Sequence, residues 1–463
     1  MIGTGSLQAL RKFDGPLAEA RELVQLAREI IHPWGQPEMP SAARINTRSR
    51  MTHDLALSPQ SGPSRWALVI AGLGSGLAVT APACAQDRYV NLTLSTQYDD
   101  NLRRLPDDEK ALERKDGQEI TSRVGAEAGI AANLGLIDLR VDGSVAKRFF
   151  AYNDELNSEE YQLAGRADYQ AWSGSAGVEA LVSRENLSFN DPVFRGTSVR
   201  DRMMFSVEGD RRVVGDIRLA GSAAFQSSSS PDSILSRADN KTYSYSVGLS
   251  YVSALGNRVE LGYNQSTSKG EGERTILIGD IPTLYSADAK NRGIYGELEY
   301  SPTVLLSLNA RVGYTWHDDQ SVLDADFKGL TQAASLTWTP LQSLTVVAMT
   351  NRSFSSNNEL FSNGVESSSH SVTVQGVVGP RLTVNAAARY AQRDFRYDLQ
   401  ADNPVTAQRS DRFWIFETGA RYQTGIGVDV GVQLRHVSIS DNGFRGSAED
   451  NSITLTLAKR FQL

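Results

Sequence analysis

From Asp87 onward the chain alternates apolar and polar residues with a period of two. Val304 to Asp318 shows the pattern clearly: Leu306, Leu308, Ala310, Val312, Tyr314 and Trp316 fall on one face, Ser307, Asn309, Arg311, Gly313, Thr315 and His317 on the other. Successive side chains of a strand point to opposite faces, so this segment predicts a strand with one apolar and one polar face along about 11 residues. That length suits a tilted strand crossing a bilayer. Arg381–Tyr390 divides in the same way, with Leu382, Val384, Ala386, Ala388 and Tyr390 opposing Thr383, Asn385, Ala387 and Arg389. In Phe413–Gln423, Trp414, Phe416, Ala420 and Tyr422 oppose Glu417, Arg421 and Gln423, and in Gly427–Arg435 four aliphatic residues oppose Asp429, Gln433 and Arg435.

About 18 such segments follow one another, centred near residues 93, 126, 143, 165, 180, 206, 222, 247, 264, 295, 311, 334, 348, 371, 387, 417, 433 and 456. Their connections alternate as well. Short turns are expected at Asn133-Leu134-Gly135, Ser173-Gly174, Val214-Gly215-Asp216, Leu255-Gly256-Asn257, Ser301-Pro302-Thr303, Pro340-Leu341-Gln342, Gly379-Pro380 and Thr424-Gly425-Ile426. Long polar loops separate them, over 99–118, 190–199, 227–240, 270–286, 318–326, 355–365, 394–407 and 441–450. Tight turns on one side and long loops on the other are the signature of an up-and-down outer-membrane barrel. The pattern therefore predicts an all-β, transmembrane, antiparallel β-barrel of 16–18 strands over residues 86–463, with both termini in the periplasm. Tyr169, Trp172, Tyr300, Trp338 and Tyr422 flank the short turns, where amphipathic rings fit a membrane interface. Alternation alone is shared with a soluble sandwich; the leader and the number of segments decide against that fold.

Trp66 to Pro82 is the one stretch with the apolar density of a membrane segment, with Arg65 directly before it and Ala83-Cys84-Ala85 directly after. A basic residue, an apolar run and an A-x-A pattern read as a secretory signal peptide over 51–85, cleaved after Ala85 with recognition of Ala83 and Ala85. Residues 1–50 lie upstream and are read as an extension that carries no function, with synthesis starting at Met51. Cys84 is the single cysteine, so such cleavage leaves a mature chain without disulfide or thiol chemistry.

Charge narrows the function further. Residues 1–85 hold eight Lys and Arg and six Asp and Glu, so the net charge of −7 becomes −9 for the mature chain. A nucleic-acid partner, which would need a basic face, is not expected. The mature chain has three histidines, His317, His370 and His436. His317 precedes Asp318 and Asp319, but rim residues in water explain that run more simply than an acid/histidine site, and no metal-ligand spacing accompanies them. No catalytic residue, metal or cofactor is expected. Asp99, Asp100, Asp107, Asp108 and Glu109 make an acidic first loop, read as a solvated surface loop.

The first strand ends in Tyr98-Asp99-Asp100-Asn101, followed by Leu102-Arg103-Arg104. This resembles the YDDN start of a family of β-barrel porins encoded with exopolysaccharide and capsule genes, including exosortase-linked ones. Further similarity lies in Lys147–Tyr152, in 169–172, and in the paired hairpin segments 295–302 and 336–340. At the other end Ile453, Leu455, Leu457, Phe461 and Leu463 share a face, interrupted by Lys459, and resemble the C-terminal assembly signal of outer-membrane barrels. The resemblances imply a Gram-negative outer-membrane location among lipid and lipopolysaccharide, contact with the barrel-assembly machinery, and a part in moving a polysaccharide alongside export-system proteins. They supply no catalytic residues.

If the polar face points inward, the lumen wall holds Arg140, Arg166, Arg311, Arg389 and Arg421 together with Asp138, Asp168, Glu297, Glu299 and Glu417. Ionisable groups facing lipid are costly, which favours that placement. The arginines then either form a selectivity ladder in a channel or pair with neighbouring carboxylates and brace the wall. The expected function is a passive outer-membrane channel or assembly component for exopolysaccharide export. A general small-solute porin and a loop-closed surface barrel stand as alternatives.

Overall fold

The computed structural model describes residues 85–106, 109, 117–186, 199–230, 239–270, 274–278, 281–285, 288–319, 326–355, 362–398, 409–440 and 446–463. The chain divides into Met1–Leu68 and Val69–Leu463. Residues 1–84, which hold the upstream extension, Ala83 and all of the expected leader but Ala85, lie outside the described residues, as do Asp107 and Asp108.

Eighteen antiparallel strands form one closed sheet. Its first half comprises β1 (Ala85–Asp99), β2 (Glu119–Asn133), β3 (Ile137–Phe150), β4 (Ser158–Ala171), β5 (Gly174–Asn186), β6 (Val199–Val214), β7 (Ile217–Ser229), β8 (Asn240–Val252) and β9 (Arg258–Gly270). A separate hairpin follows, β10 (Arg274–Ile278) with β11 (Ile281–Tyr285). The sheet resumes with β12 (Ala289–Thr303), β13 (Leu306–Asp319), β14 (Phe327–Leu341), β15 (Leu344–Ser355), β16 (Ser362–Val378), β17 (Leu382–Asp398), β18 (Arg409–Gln423), β19 (Val428–Ile439) and β20 (Ala448–Gln462). β1 pairs with β2 on one side and with β20 on the other, from Tyr89↔Gln462 to Asp99↔Ser452, so the sheet has no free edge. Each of the 18 predicted segment centres lies within one of these 18 strands.

The eight short turns all fall at one end, and the N- and C-termini of the sheet lie there too. Gly215 (φ 56°) and Gly379 (φ 71°) occupy left-handed backbone, which only glycine takes without strain. The two proline turns sit later than predicted. The chain reverses at Val304-Leu305 and at Gln342-Ser343, while Pro302 and Pro340 lie inside irregularities of β12 and β14. Proline has no N–H to give the ladder, so it falls where pairing is already broken, and the ladder closes again beyond it. At the other end several strands run past the predicted loop starts; β17, for example, continues to Asp398.

The outer surface is apolar. On β8, Tyr243, Tyr245, Val247, Leu249 and Tyr251 are each about half exposed, whereas Ser250 on the opposite face is 2% exposed. Tyr169, Trp172, Tyr300, Trp338 and Tyr422 are exposed at the turn end, as a membrane-interface girdle requires. Lys459 shares the outward face with Leu457 and Phe461, and its ammonium lies 5.1 Å from the Phe461 ring. A lysine this near the strand end can reach the headgroups by its own length.

Inside, two tyrosines lie across glycines of the neighbouring strand. Tyr89 covers Gly129, and its hydroxyl donates to Glu127 (2.7 Å) or Asp142 (2.8 Å). Tyr295 covers Gly262 and donates to Glu260 (2.7 Å). A Cβ on either glycine would intrude into the tyrosine ring. Gly262→Ala is therefore expected to destabilise the barrel by about 1–3 kcal/mol. Adding Tyr295→Ala should recover part of that loss in urea unfolding of the refolded barrel, followed by tryptophan fluorescence. Strictly additive losses would contradict the close approach.

Candidate functional site

The candidate site is the inner wall. In every strand the face that opposes the apolar surface carries the polar residues, and cross-strand register decides which of them meet. An arginine and an acid two positions apart on one strand share a face. This local device sets Arg140 on Asp142 (2.6 Å) and Arg166 on Asp168 (2.7 Å), and it joins Arg258 to Glu260. Arg166 also reaches across strands to Glu208 (3.0 Å) and Glu179 (3.6 Å). Arg311 pairs with Glu297 (3.6 Å) and stacks on Tyr295 with its guanidinium carbon 3.6 Å from the ring centre. Glu299 lies 3.9 Å from Arg258, and Arg421 is held by Asp429.

Some expected pairings differ. Asp138 accepts from Asn133 (2.6 Å) rather than from an arginine, and Glu417 is bound by Arg435 (3.3 Å). Arg389 faces inward between Ser371 of β16 and Ile415 of β18, and is exposed. Among the described residues it has no carboxylate partner. Most of these pairs are open to water, where each contributes about 0–1 kcal/mol. Their main effect is to fix positions and to cancel charge locally.

At the loop end the inner wall changes character. Ala391, Phe413, Ile415, Val437, Ile439 and Ala448 occupy inward positions yet form a buried apolar cluster. Leu102, Phe150 and Leu156 form a second one. The acidic start of the first loop, expected to be solvated, is instead packed here: Asp99 is 2% and Asn101 1% exposed. Asp100 binds Asn451 of β20 through backbone and side chain, receiving its N–H at 2.7 Å and its side-chain amide at 2.9 Å. Asn101 donates its backbone N–H to Asp99 (2.9 Å) and its side-chain amide to the Glu449 carbonyl (2.8 Å) and the Leu105 carbonyl (2.8 Å). Arg104, at φ 51°, donates its Nε to Asp450 (3.0 Å), with both side chains almost fully buried. The Tyr98–Asn101 motif thus staples the start of the first loop across the seam where the first and last strands meet, with Asp100 on the outward Asn451 and Arg104 on the inward Asp450.

The carboxylates of Asp99, Asp100 and Asp450 are close enough to share a cation. Asn101, Asn451 and Arg104 already donate to them, so the donor set is that of a hydrogen-bonded latch rather than a metal cage. His317 is also buried rather than solvated, with Nδ1 2.6 Å from Asn291 on the inward face, while Asp318 lies on the opposite face. His370 and His436 face outward, against Thr350 (3.0 Å) and Asn451 (2.8 Å).

Residues 288–461 match the model of a family described as "Putative beta-barrel porin 2". That span covers β12 to β20 and includes Arg311, Arg389, Glu417 and Arg421. No curated protein matches. Among solved structures, OccAB3 of Acinetobacter baumannii is 12% identical with a TM-score of 0.42, covering 81% of this chain and 100% of its own. OpdO of Pseudomonas aeruginosa is 15% identical with a TM-score of 0.43, covering 82% and 98%. OpdK of Pseudomonas aeruginosa with vanillate is 13% identical with a TM-score of 0.42, covering 82% and 99%. The family match and the closed sheet agree on a porin-like β-barrel.

The residues that alternation did not reveal are those of the latch. Arg104 lies in a polar loop with no periodicity, and the one available signal was Phe413 and Ile415 at positions where the wall should be polar. Arg104→Ala is expected to cost about 3–5 kcal/mol by leaving Asp450 buried and unpaired. Arg104→Ala/Asp450→Asn should cost less in the same urea titration. A single-variant loss below about 1 kcal/mol, the value of an exposed pair, would contradict the latch.

Proposed function

We propose that the protein is a passive channel of the outer membrane through which hydrophilic solutes diffuse. The observation that carries this reading is the inner wall: charged pairs and hydroxyls line an 18-stranded barrel whose outward surface is apolar. Sixteen to 18 strands are wide enough to enclose water. The apolar exterior supports a membrane setting, and the short turns with their aromatic girdle support a periplasmic side for that end and for both termini of the sheet.

The resemblance of the first strand and loop to exopolysaccharide-linked porins is the ground for a polysaccharide cargo. The first loop favours a smaller one. Its stapled start, held to β20 at the loop end, supports a fixed opening that selects small solutes over free passage of a polymer. Assembly through the barrel-assembly machinery is the accompanying proposal, supported by the apolar face of β20.

Reconstitution in planar bilayers should give stable ohmic steps, and liposomes carrying the barrel should swell in small sugars. Swelling that falls off between mono- and tetrasaccharides favours the small-solute reading; undiminished passage of oligosaccharides favours export. Silence in both assays would refute the channel.

A further inference from the structure

The charged groups of the inner wall are not spread evenly around the barrel. From β2 to β6, and again through β9, β12 and β13, arginines and acids alternate and neutralise one another. β14 to β17 differ. Among the described inward side chains of these four strands, only Arg389 and Arg393 are ionisable; the rest are neutral, mostly hydroxyl, amide or small residues such as Ser335, Asn351, Ser371 and Thr373. Arg393 sits on the ring of Phe413 (5.4 Å), within the buried cluster at the loop end. Arg389 stands four residues nearer the turn end, exposed to the lumen, with Ser371 and Ile415 as its cross-strand partners.

We infer that Arg389 is the anion contact of the lumen, and that β14 to β17 form a neutral, hydroxyl-lined track along which a solute bearing a carboxylate passes. The inference rests on the channel reading and adds its substrate class. Arg140, Arg166, Arg311 and Arg421 each have a carboxylate partner. A solute anion reaching one of those must compete with a carboxylate already in place and meets a pair whose charges largely cancel. Arg389 has none among the described residues, so its planar fork of donors and its full charge face the passing solute. The described residues of the four strands carry no inward acid, and the one next to them across the ladder, Glu417 of β18, is already bound by Arg435 (3.3 Å). Neighbouring hydroxyls, Ser371 foremost, exchange hydrogen bonds with the polar remainder of the solute at little cost, which lets it move on after contact.

Glucuronate and glucose, close in size and different in charge, provide the test. Proteoliposomes of the full barrel should admit glucuronate faster relative to glucose than its size and charge alone would give. Arg389→Ala should lower the glucuronate-to-glucose rate ratio at least threefold. Arg389→Lys should keep most of the ratio, and Arg311→Ala should lower it less than half as much. Arg389→Gln, closer in volume, gives the same reading if the alanine variant fails to fold. A ratio unchanged in both neutral variants, or lowered equally by Arg311→Ala, overturns the anion contact while leaving the channel intact. Entry of neither sugar in the parent protein would overturn the channel reading and the inference with it.

Discussion

Everything in this structure depends on closure of the hydrogen-bond ladder. A strand at the rim of a sheet offers unpaired amides, and in a medium without water each of them costs several kcal/mol. The β1–β20 pairing removes both rims at once. It also brings residues nearly 350 positions apart in sequence to bonding distance, as in Asp100 with Asn451. The seam is where the sheet could open most readily, since only here does pairing join the two ends of the chain. The Tyr98–Asn101 motif and Arg104 are set across that seam, and the most buried ion pair of the site, Arg104 with Asp450, lies beside it.

Once the sheet is closed, alternation leaves each strand two surfaces with opposite solvents. Apolar side chains take the outside, and charges are confined to the inside, where they meet at distances set by strand register. Arginine dominates this wall because its fork can hold one acid on its own strand and another across the ladder, as Arg166 does with Asp168 and Glu208. Tyrosine serves as the other fixing element, lying over a glycine and reaching an acid beyond it. The outcome is a stiff, locally neutral arc facing a softer uncharged one, so the field across the lumen is set by the few charges that are not cancelled.

The fold was largely legible in the sequence because membrane crossing demands long, regular alternation. Features without that regularity were not. The β10–β11 hairpin is too short to cross a bilayer and follows the charged run 271–274, so Arg274–Tyr285 reads as loop despite its apolar residues. Beyond the apolar belt the strands continue with polar residues on both faces, which hides their true ends, as for β17. The inward direction of Arg140, Arg166, Arg311, Arg389 and Arg421 follows from period two, but their partners do not. A register slip of two residues leaves both faces unchanged while replacing every cross-strand neighbour. Glu417 consequently meets Arg435, and Asp138 meets Asn133, for reasons that only the register contains. The burial of Asp99 was hidden for a different reason: nothing local distinguishes an acid that faces water from one closed in by the residues that follow it and by Asp450 of the last strand.

The separation of the two faces can be measured directly, because Cys84, ahead of the first strand, is the only cysteine of the chain. Single cysteines placed in turn along 308–315 of β13, in barrels reconstituted into liposomes, are reacted with a small membrane-impermeant thiol reagent. Asn309, Arg311, Gly313 and Thr315 should label from water, while Leu308, Ala310, Val312 and Tyr314 should be protected by lipid. Equal labelling at adjacent positions, or protection of Arg311 and Gly313 together with their apolar neighbours, would contradict a water-filled barrel with an apolar exterior.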